Sequence, residues 1–396
     1  MHTMSSADAS FAAAPVALTR CGEYDTDKIY SLLLRQFEAL GIGEDVFKGK
    51  NVVLKPNLVM NKGPEFAATT DPSVVRAAAR IAKNMGAADI VLAESWGGPY
   101  TEPLIRNHYK DCGMRDAAQS EGFRLNTSAG FGTMSFADGV KCRSFSIIQP
   151  IIDADVIIDL PKLKTHSLTA MSGAVKNFFG TVPGVQKFEM HARFPKIGDF
   201  SQMICDLCQM LCAKKTVIAV CDAVVGMEGN GPTGGTARNF GFILTSASPF
   251  SLDTAAAKLL GIDNATTVGC SLKRGLCVPD PKIICAPETT ADDCAVRDIK
   301  LPDAQNPAFL KKLPTFMGGR AARFFQPRPK INSRTCIGCG KCRDSCPVHT
   351  ITVKETRRGR KAAIDKNRCI RCFCCQELCP INSVKIVKNP IIKLVH

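Results

Sequence analysis

The sequence is poor in tryptophan and tyrosine, with one Trp and four Tyr in 396 residues. It also lacks any apolar run near the ~20 residues that a membrane helix needs. The apolar segment at residues 11–18 is short, is interrupted by Pro15 and has no Lys or Arg before it. A secretory signal needs a basic region and a longer apolar run. We therefore predict neither a membrane span nor export, and expect a cytoplasmic protein.

Cysteine, by contrast, is abundant: the chain has 20, and nine of them lie between Cys336 and Cys379. In a large chain without an export signal this concentration favours metal ligation over disulfides. The spacing C-x2-C-x2-C-x3-C-P occurs twice, with an offset of 33 residues, which indicates an internal duplication. The eight cysteines in this register are Cys336, Cys339, Cys342, Cys346, Cys369, Cys372, Cys375 and Cys379.

Thiolates at this spacing are the soft ligands that iron–sulfur clusters require, and the cysteine before each proline ligates the other cluster. We therefore predict two [4Fe–4S] clusters. A zinc ribbon, the alternative, uses two C-x2-C pairs without a third cysteine or a C-P ending. Cys374 is adjacent to a ligand but lies outside the register. The predicted ligand sets are Cys336, Cys339, Cys342 and Cys379 for one cluster, and Cys346, Cys369, Cys372 and Cys375 for the other.

The first 300 residues alternate short apolar segments with amphipathic ones. In one β–α–β unit, a strand at 52–54 precedes a helix that begins after Asp71 and ends at Gly86, and a strand follows at 90–93. Such continuously apolar strands predict an α/β fold, a mostly parallel sheet with helices on both faces. Further strands are predicted at 156–160, 217–220, 242–244 and 282–285, and further helices at 169–179, around 204–211 and at 251–260.

Composition divides the chain into four regions. We expect a flexible N-terminal tail (1–20), an α/β domain (21–300), a basic proline-containing linker with a short helix (301–330) and a small α+β two-cluster domain (331–396). Within the last region, residues 351–353 and 362–364 predict a hairpin with a basic tip.

The formal net charge is +15, and two clusters of about −2 each would lower it to roughly +11. This balance favours anionic partners, such as acidic proteins or phosphorylated and carboxylated small molecules. Nucleic-acid binding would rest only on charge and the basic tip at residues 357–360. Because neither a recognition-helix pattern nor an aromatic stacking motif accompanies that charge, we predict no nucleic-acid partner.

Polar residues follow several predicted strands, where open parallel sheets bind ligands. Lys162, Lys164 and Lys176 are candidates for holding a carboxylate or phosphate, and His166 for donating a proton. The alternative is a solvated basic loop. Other polar residues that follow strands are Lys55, Asn57, Glu94 and Asp222, each of which taken alone is more often a cap or turn residue.

Two further patterns resemble binding motifs. Residues 229–234 match G-x-G-x-x-G, but Pro232 interrupts them and residues 238–244 lead into a strand, whereas a dinucleotide site opens a helix. We therefore favour a glycine-rich turn over a ligand, or a mobile loop, over nicotinamide binding. We interpret three cysteines at helical spacing as a buried core stripe: Cys205, Cys208 and Cys212.

The segments at residues 55–57, 161–166, 176–180 and 228–232 resemble the iron–sulfur family catalogued as domain of unknown function 362, over about residues 50–300. The C-terminal region resembles bacterial two-cluster ferredoxins, which implies a ferredoxin-like fold and low-potential electron transfer. The first resemblance implies no particular reaction, but it strengthens the matching residues as site candidates. Those assigned to cofactor contact are Lys55, Asn57, Asn177, Gly229 and Gly231.

Two functions fit these features. The first is an oxidoreductase that passes electrons from two [4Fe–4S] clusters to an anionic substrate or a second cofactor in the α/β domain. The second is a ferredoxin-type carrier or subunit whose α/β domain is a docking platform for a redox partner. The sequence identifies neither a flavin nor another second cofactor, nor the oligomeric state. Exposed clusters are usually oxygen-sensitive, so we expect an anaerobic or microaerobic cytoplasm. In the carrier, basic linker residues would meet an acidic surface: Lys311, Lys312, Arg320, Arg323 and Arg328.

Overall fold

The computed structural model describes residues 11–305 and 326–387. A ten-stranded mixed sheet forms the larger part of the chain. Its strands are β1 (Val16–Arg20), β2 (Asn51–Pro56), β3 (Asp89–Leu92), β4 (Arg124–Leu125), β7 (Val156–Leu160), β8 (Lys162–His166), β9 (Ala170–Ser172), β10 (Thr216–Glu228), β11 (Thr236–Ser246) and β12 (Ile283–Cys285). Two further strands, β5 (Phe131–Ser135) and β6 (Ser144–Ile148), form a separate hairpin.

The strand order in the sheet is β12-β1-β11-β10-β7-β2-β3-β4. Strands β10, β7, β2, β3 and β4 run parallel, and β11 is antiparallel to both of its neighbours. Beyond the end of β7, the short strand β8 pairs parallel with β10 and antiparallel with β9. The prediction of a mostly parallel sheet is confirmed, with β11 and β9 as the antiparallel additions.

The helices of this region are α1 (Thr26–Ala39), α2 (Pro72–Asn84), α3 (Glu102–Asp111), α4 (Met114–Glu121), α5 (Gln149–Asp153), α6 (Ala174–Asn177), α7 (Gln186–Arg193), α8 (Ile197–Lys214), α9 (Pro249–Leu259) and α10 (Thr266–Lys273). Helix α2 begins as predicted, because the Asp71 carboxylate accepts a hydrogen bond from Ser73 N at 2.8 Å. In the described part of the chain, no helix is both long enough and apolar enough to cross a membrane.

Helices cover both faces of the sheet because side chains alternate along each strand. Val52 and Leu54 of β2 pack in one core with α1 and α2, whereas Val53 packs in a second core with α8. The cysteine stripe of α8 is confirmed as core: Cys205 and Cys208 are fully buried in that second layer, and Cys212 packs against it.

Two predicted boundaries are wrong. Residues 16–20 belong to the sheet rather than to a tail, because β1 pairs with both β11 and β12. Residues 328–330 belong to the cluster domain rather than to the linker, because with Ile331 they form a strand that pairs within that domain. Most of the predicted linker, residues 306–325, lies outside the described residues, so its short helix stays a prediction.

The helix predicted at residues 169–179 is also wrong over its first half, where β9 forms and only 174–177 is α-helical. Ala170 has a φ of 67°, which no α-helix accommodates. Gly173 precedes the helix, and a Cβ there would lie 2.1 Å from Asp253 Oδ1. The carboxylate of Asp253 caps the helix by accepting hydrogen bonds from Ala174 N at 2.6 Å and Val175 N at 3.1 Å.

The cluster domain shows the internal duplication in its architecture. Its elements are β13 (Arg328–Ile331), α11 (Lys341–Asp344), β14 (Ile351–Lys354), β15 (Lys361–Ile364), α12 (Cys374–Glu377) and β16 (Val384–Val387). The second three repeat the first three with an offset of 33 residues. Strand β13 pairs with β16, and β14 pairs with β15 as the predicted hairpin, so each small sheet takes one strand from each half.

Candidate functional site

The predicted ligands of the first cluster surround one cavity. Cys336, Cys339, Cys342 and Cys379 all line it. Backbone N–H groups donate to two of the sulfurs: Ser383 N lies 3.1 Å from Cys379 Sγ, and Gly338 N lies 3.4 Å from Cys336 Sγ. Such donors stabilise the negative charge that thiolates and cluster carry. Four thiols on one cavity are the donor set that a cubane needs.

The predicted ligands of the second cluster also lie near one another. The thiol of Cys375 interacts electrostatically with those of Cys346, Cys369 and Cys372, and Thr350 N donates to Cys346 Sγ at 3.3 Å. Within the described ranges, no three His, Cys, Asp or Glu side chains converge around a single metal-ion position. Both ligand sets remain predictions that the arrangement of thiols fits.

A second cavity separates the cluster domain from the strand ends of the large sheet. Its interior offers about 70 Å³ of space to water-sized molecules. The large domain contributes polar side chains to its wall, and α12 with the residue after it contributes the opposite side. The lining includes Asn57, Glu94, Lys176, Asn177, Lys187 and His191 from the large domain, and Cys374, Glu377 and Leu378 from the cluster domain.

Hydrogen bonds between α12 and the glycine-rich loop at residues 229–234 hold α12 in this position. Gln376 Nε2 donates to Asn230 O at 2.9 Å, and Thr233 Oγ1 donates to Glu377 O at 2.8 Å. Ser167 Oγ, which follows β8, lies 3.4 Å from Gln376 Oε1. The loop between β10 and β11 therefore positions the cluster domain against the large domain.

Gly229 and Gly231, two predicted cofactor contacts, lie against β8 and do not line the cavity. A Cβ at Gly231 would lie 2.0 Å from Thr165 O, so only glycine allows this approach. Gly229 has a φ of 80° and accepts a hydrogen bond from Thr165 Oγ1 at 2.9 Å. The geometry gives both residues a packing role, and it supports the preference for a turn over a nicotinamide site.

Glu94 lies on the cavity wall and forms a buried ion pair with Lys55 behind it. Lys55 Nζ also donates to Pro56 O at 2.9 Å. Burial raises the pKa of Glu94 to about 7, although Lys55 and Lys187 oppose the shift. Gly180 makes room for this carboxylate, because a Cβ there would lie 2.2 Å from Glu94 Oε1.

Lys187 and His191 lie on α7, and sequence reasoning missed both. Lys187 Nζ donates to Ser95 Oγ at 3.1 Å and to Val182 O, and burial lowers its pKa to about 7. His191 stacks on Phe200 at 4.4 Å, and burial lowers its pKa to about 3, so the ring is neutral. Their i, i+4 spacing puts both on one helix face, but nothing in that spacing separates a ligand-facing pair from a solvated one.

Lys176 lies on α6, just after β9, and lines the cavity. This position is the one that its predicted role as an anion ligand requires. Its Nζ forms no hydrogen bond or ion pair with any residue that the structure describes. Burial lowers its pKa, and the nearby Glu377 carboxylate opposes that shift. Lys176 therefore has an amino group available to a bound anion.

Lys162 and Lys164 do not line the cavity. Lys162 Nζ is buried in an ion pair with Asp222 Oδ2 at 2.9 Å and also donates to Tyr24 Oη at 2.6 Å. Lys164 Nζ donates to Asn57 Oδ1 at 2.8 Å, and burial lowers its pKa well below the usual value. The structure does not support their predicted roles as substrate ligands, because both side chains already donate hydrogen bonds to other groups of the protein.

Asn57 and Asn177 line the cavity and are fixed by a hydrogen-bonded chain beneath it. Asn57 Nδ2 donates to Asn177 Oδ1 at 2.9 Å, and Asn177 Nδ2 donates to Asp159 Oδ1 at 2.8 Å. Asp159 is fully buried, which raises its pKa well above the usual range. Lys164 joins the chain through Asn57, so it acts on the cavity by orienting this amide.

His166 is fully buried and faces the cluster domain. Its Nδ1 accepts a hydrogen bond from Leu168 N at 3.0 Å, so the proton of the neutral ring is on Nε2. Nε2 lies 3.4 Å from Glu377 Oε1, across the interface with α12. Burial lowers the pKa of His166 well below the usual value. Since it does not line the cavity, its predicted role as a proton donor to substrate remains a prediction without geometric support.

Cys374, which has no place in the ligand register, lines the cavity with its buried side chain. Its thiol interacts with that of Cys372, a predicted ligand of the second cluster. The segment that closes the cavity is thus continuous with the segment that binds this cluster.

Comparison with known proteins identifies two regions. The family described as "Domain of unknown function (DUF362)" matches residues 52–258, more than half of the chain. A "4Fe-4S dicluster domain" matches residues 328–380, beginning at the first residue of β13. The chain is also similar to the "Thylakoid-associated protein sll1697" of Synechocystis, with 28% identity over 303 residues that cover 74% of this chain and 89% of that protein.

Proposed function

The chain belongs to the DUF362 family and carries a 4Fe-4S dicluster domain, and from this premise we propose that it is an oxidoreductase that reduces a small anionic substrate in the cavity beside α12. The dicluster domain supports iron–sulfur electron transfer. The proposal of a substrate site rests on one observation: the cavity is lined both by lysines of the large domain and by α12, the helix that carries the predicted ligand Cys375.

The eight cysteines in duplicated register would hold two [4Fe–4S] clusters, in the sets given above. Each bound cluster exchanges one electron at a time, so a pair can supply the two electrons that reduction of a closed-shell organic anion needs. Cys374 and Cys372 connect the second ligand set to the cavity wall, so this set would be the one to pass electrons to a bound substrate.

One lysine and one amide are suited to hold the anion. The Lys176 amino group has no hydrogen-bond partner among the described residues, whereas Lys187 lines the same wall with its three N–H groups engaged by Ser95, Trp96 and Val182. Asn57 is oriented by Lys164 and donates one amide N–H to Asn177, whereas Asn177 already donates to Lys55 O and Asp159. The interior of the cavity, about 70 Å³ of space that water-sized molecules reach, is smaller than the sites of drug-sized ligands, so the substrate would have few atoms.

Glu94 is the best-placed proton donor. It lines the cavity, and a pKa of about 7 leaves a substantial fraction of the carboxyl protonated at neutral pH. After giving up its proton, the carboxylate would be stabilised by Lys55, with which it forms an ion pair. Glu94 therefore replaces His166 in the proposed mechanism.

An anaerobic reoxidation experiment tests this function. The holoprotein is reduced until its cluster absorbance bleaches, and is then mixed with the small-molecule or the protein fraction of a cell extract while the absorbance is followed. We expect reoxidation by the small-molecule fraction, at a rate that falls at least tenfold in Lys176→Met. The control is Lys48→Met, which removes an exposed lysine outside the cavity.

Equal reoxidation rates in the two variants would contradict the proposal. Reoxidation by the protein fraction alone would support the second candidate, an electron carrier with the large domain as docking platform. The observation that favours this candidate is the excess of Lys and Arg over Asp and Glu in the cluster domain.

A further inference from the structure

The duplication allows the same position to be compared around the two predicted clusters. In the first half, Ile337 is 60% exposed and Cys339 is exposed. Their equivalents in the second half, Ile370 and Cys372, are only partly exposed. Related sequences in two equivalent loops therefore have different environments, so the difference arises from what surrounds each loop.

The residues that follow the C-P ligands show the same asymmetry. Ile381 is 42% exposed and lines the cavity of the first ligand set together with Ile337. Its equivalent in the first half, Val348, is partly buried. Two apolar side chains thus lie exposed beside the first ligand set, whereas the second set lies toward the substrate cavity through Cys372 and Cys374.

Basic residues surround this apolar surface. Between residues 326 and 387 the chain has 14 Lys and Arg but only 4 Asp and Glu. Lys341 lines the same cavity as Ile337, and Arg343 is exposed on the same helix. Arg360 adjoins the loop as well, since a Cβ at Gly338 would lie 2.5 Å from Arg360 Cβ. Even with two clusters of about −2 each, this region stays positive by roughly six charges.

We propose that the Ile337 surface, formed by Ile337, Ile381, Lys341 and Arg343, binds an acidic redox protein that donates electrons to the first ligand set. Apolar residues exposed within a basic rim fit a partner whose own redox centre lies in an apolar patch with acidic residues around it. In each encounter the partner would lose one electron, and Cys336, Cys339, Cys342 and Cys379 would hold the cluster that accepts it, with no atom transferred.

This inference rests on the proposed function for its direction, since electrons would arrive at the first ligand set and leave from the second toward the cavity. Electrostatic attraction between opposite charges accelerates encounter, and salt screens it. The Ile337 surface therefore predicts a strongly salt-dependent rate of electron transfer from an acidic donor.

The test is anaerobic stopped-flow reduction of the holoprotein by a reduced acidic flavodoxin, followed by cluster absorbance. The second-order rate constant should fall about tenfold or more between low and high salt. At low salt, the double variant K341E/R343E should lose a similar factor and most of its salt dependence. The matched control K48E/K50E changes the charge equally at exposed lysines before β2, at the opposite end of the parallel strands, and should stay near wild type.

A second readout is the Kd for oxidised flavodoxin, which should rise in K341E/R343E and in Ile337→Ser while iron content stays unchanged. Equal effects in K48E/K50E, or a rate that is flat with salt in wild type, would overturn the proposal. So would a short DNA duplex that binds the same surface more tightly than flavodoxin does. Failure of the small-molecule reoxidation experiment with these results intact would refute the substrate cavity and leave the Ile337 surface standing.

Discussion

Replacing Gly180 by alanine perturbs the cavity wall at a single point. The added Cβ would lie 2.2 Å from Glu94 Oε1 and 2.6 Å from Oε2, far inside van der Waals contact. The carboxylate has to move, and it cannot move freely because it is buried and paired with Lys55. Overpacking of a buried site costs about 1–3 kcal/mol. Breaking a buried ion pair costs about 3–5 kcal/mol, which sets the upper limit.

We therefore expect Gly180→Ala to lower the free energy of unfolding by about 1–5 kcal/mol. The matched control is Gly198→Ala, because Gly198 is exposed in the first turn of α8 and a Cβ there meets nothing within 4 Å. That change should be neutral or stabilise by up to about 1 kcal/mol, since alanine favours the helix. Anaerobic urea unfolding of the holoprotein, followed by circular dichroism, measures both.

A double-mutant cycle separates the collision with Glu94 from any other effect of the methyl group. In a Glu94→Ala background the carboxylate is gone, so the further change Gly180→Ala should cost less than about 1 kcal/mol. If Gly180→Ala costs the same in both backgrounds, the contact between Gly180 and Glu94 does not control this wall, and the reasoning is refuted.

Three other predictions concern the cavity, the ligand register and the ion pair outside the cavity. Burial lowers the pKa of Lys187 to about 7 and raises the pKa of Glu94 to about 7, so the wall loses an ammonium and gains a carboxylate as pH rises through 7. Calorimetry should therefore show weaker sulfate binding at pH 8 than at pH 6, and a smaller difference in Lys187→Met, where of these two groups only Glu94 titrates. Cys374→Ser should retain full iron content and both clusters by electron paramagnetic resonance, whereas Cys375→Ser should lose about half of the iron; equal losses would contradict the register. Lys162→Met leaves the buried Asp222 carboxylate without its cation and should destabilise the fold by about 3–5 kcal/mol in urea unfolding, and a smaller cost in the double variant with Asp222→Leu would identify the unpaired charge as the cause.

The sequence by itself predicted the features that depend on local pattern. Asp71 and Pro72 mark the start of α2 because capping involves residues two positions apart. The duplicated cysteine spacing is local in the same sense, since three thiols within seven residues define one loop. Alternating apolar strands and helices also sufficed for the parallel sheet, because each element must bury its own apolar face.

Only the tertiary structure decided which charged residues face the cavity. Lys162 and Lys176 both follow strands, yet Lys162 pairs with Asp222, 60 residues away, and Lys176 faces the cavity. Asp222 reaches Lys162 because β8 pairs with β10, a contact between distant parts of the chain. Lys176 has no such partner among the described residues. The other wall is contributed by α12, about 200 residues later in the chain. No local pattern specifies such contacts, because burial and charge pairing depend on which distant segments the fold brings together.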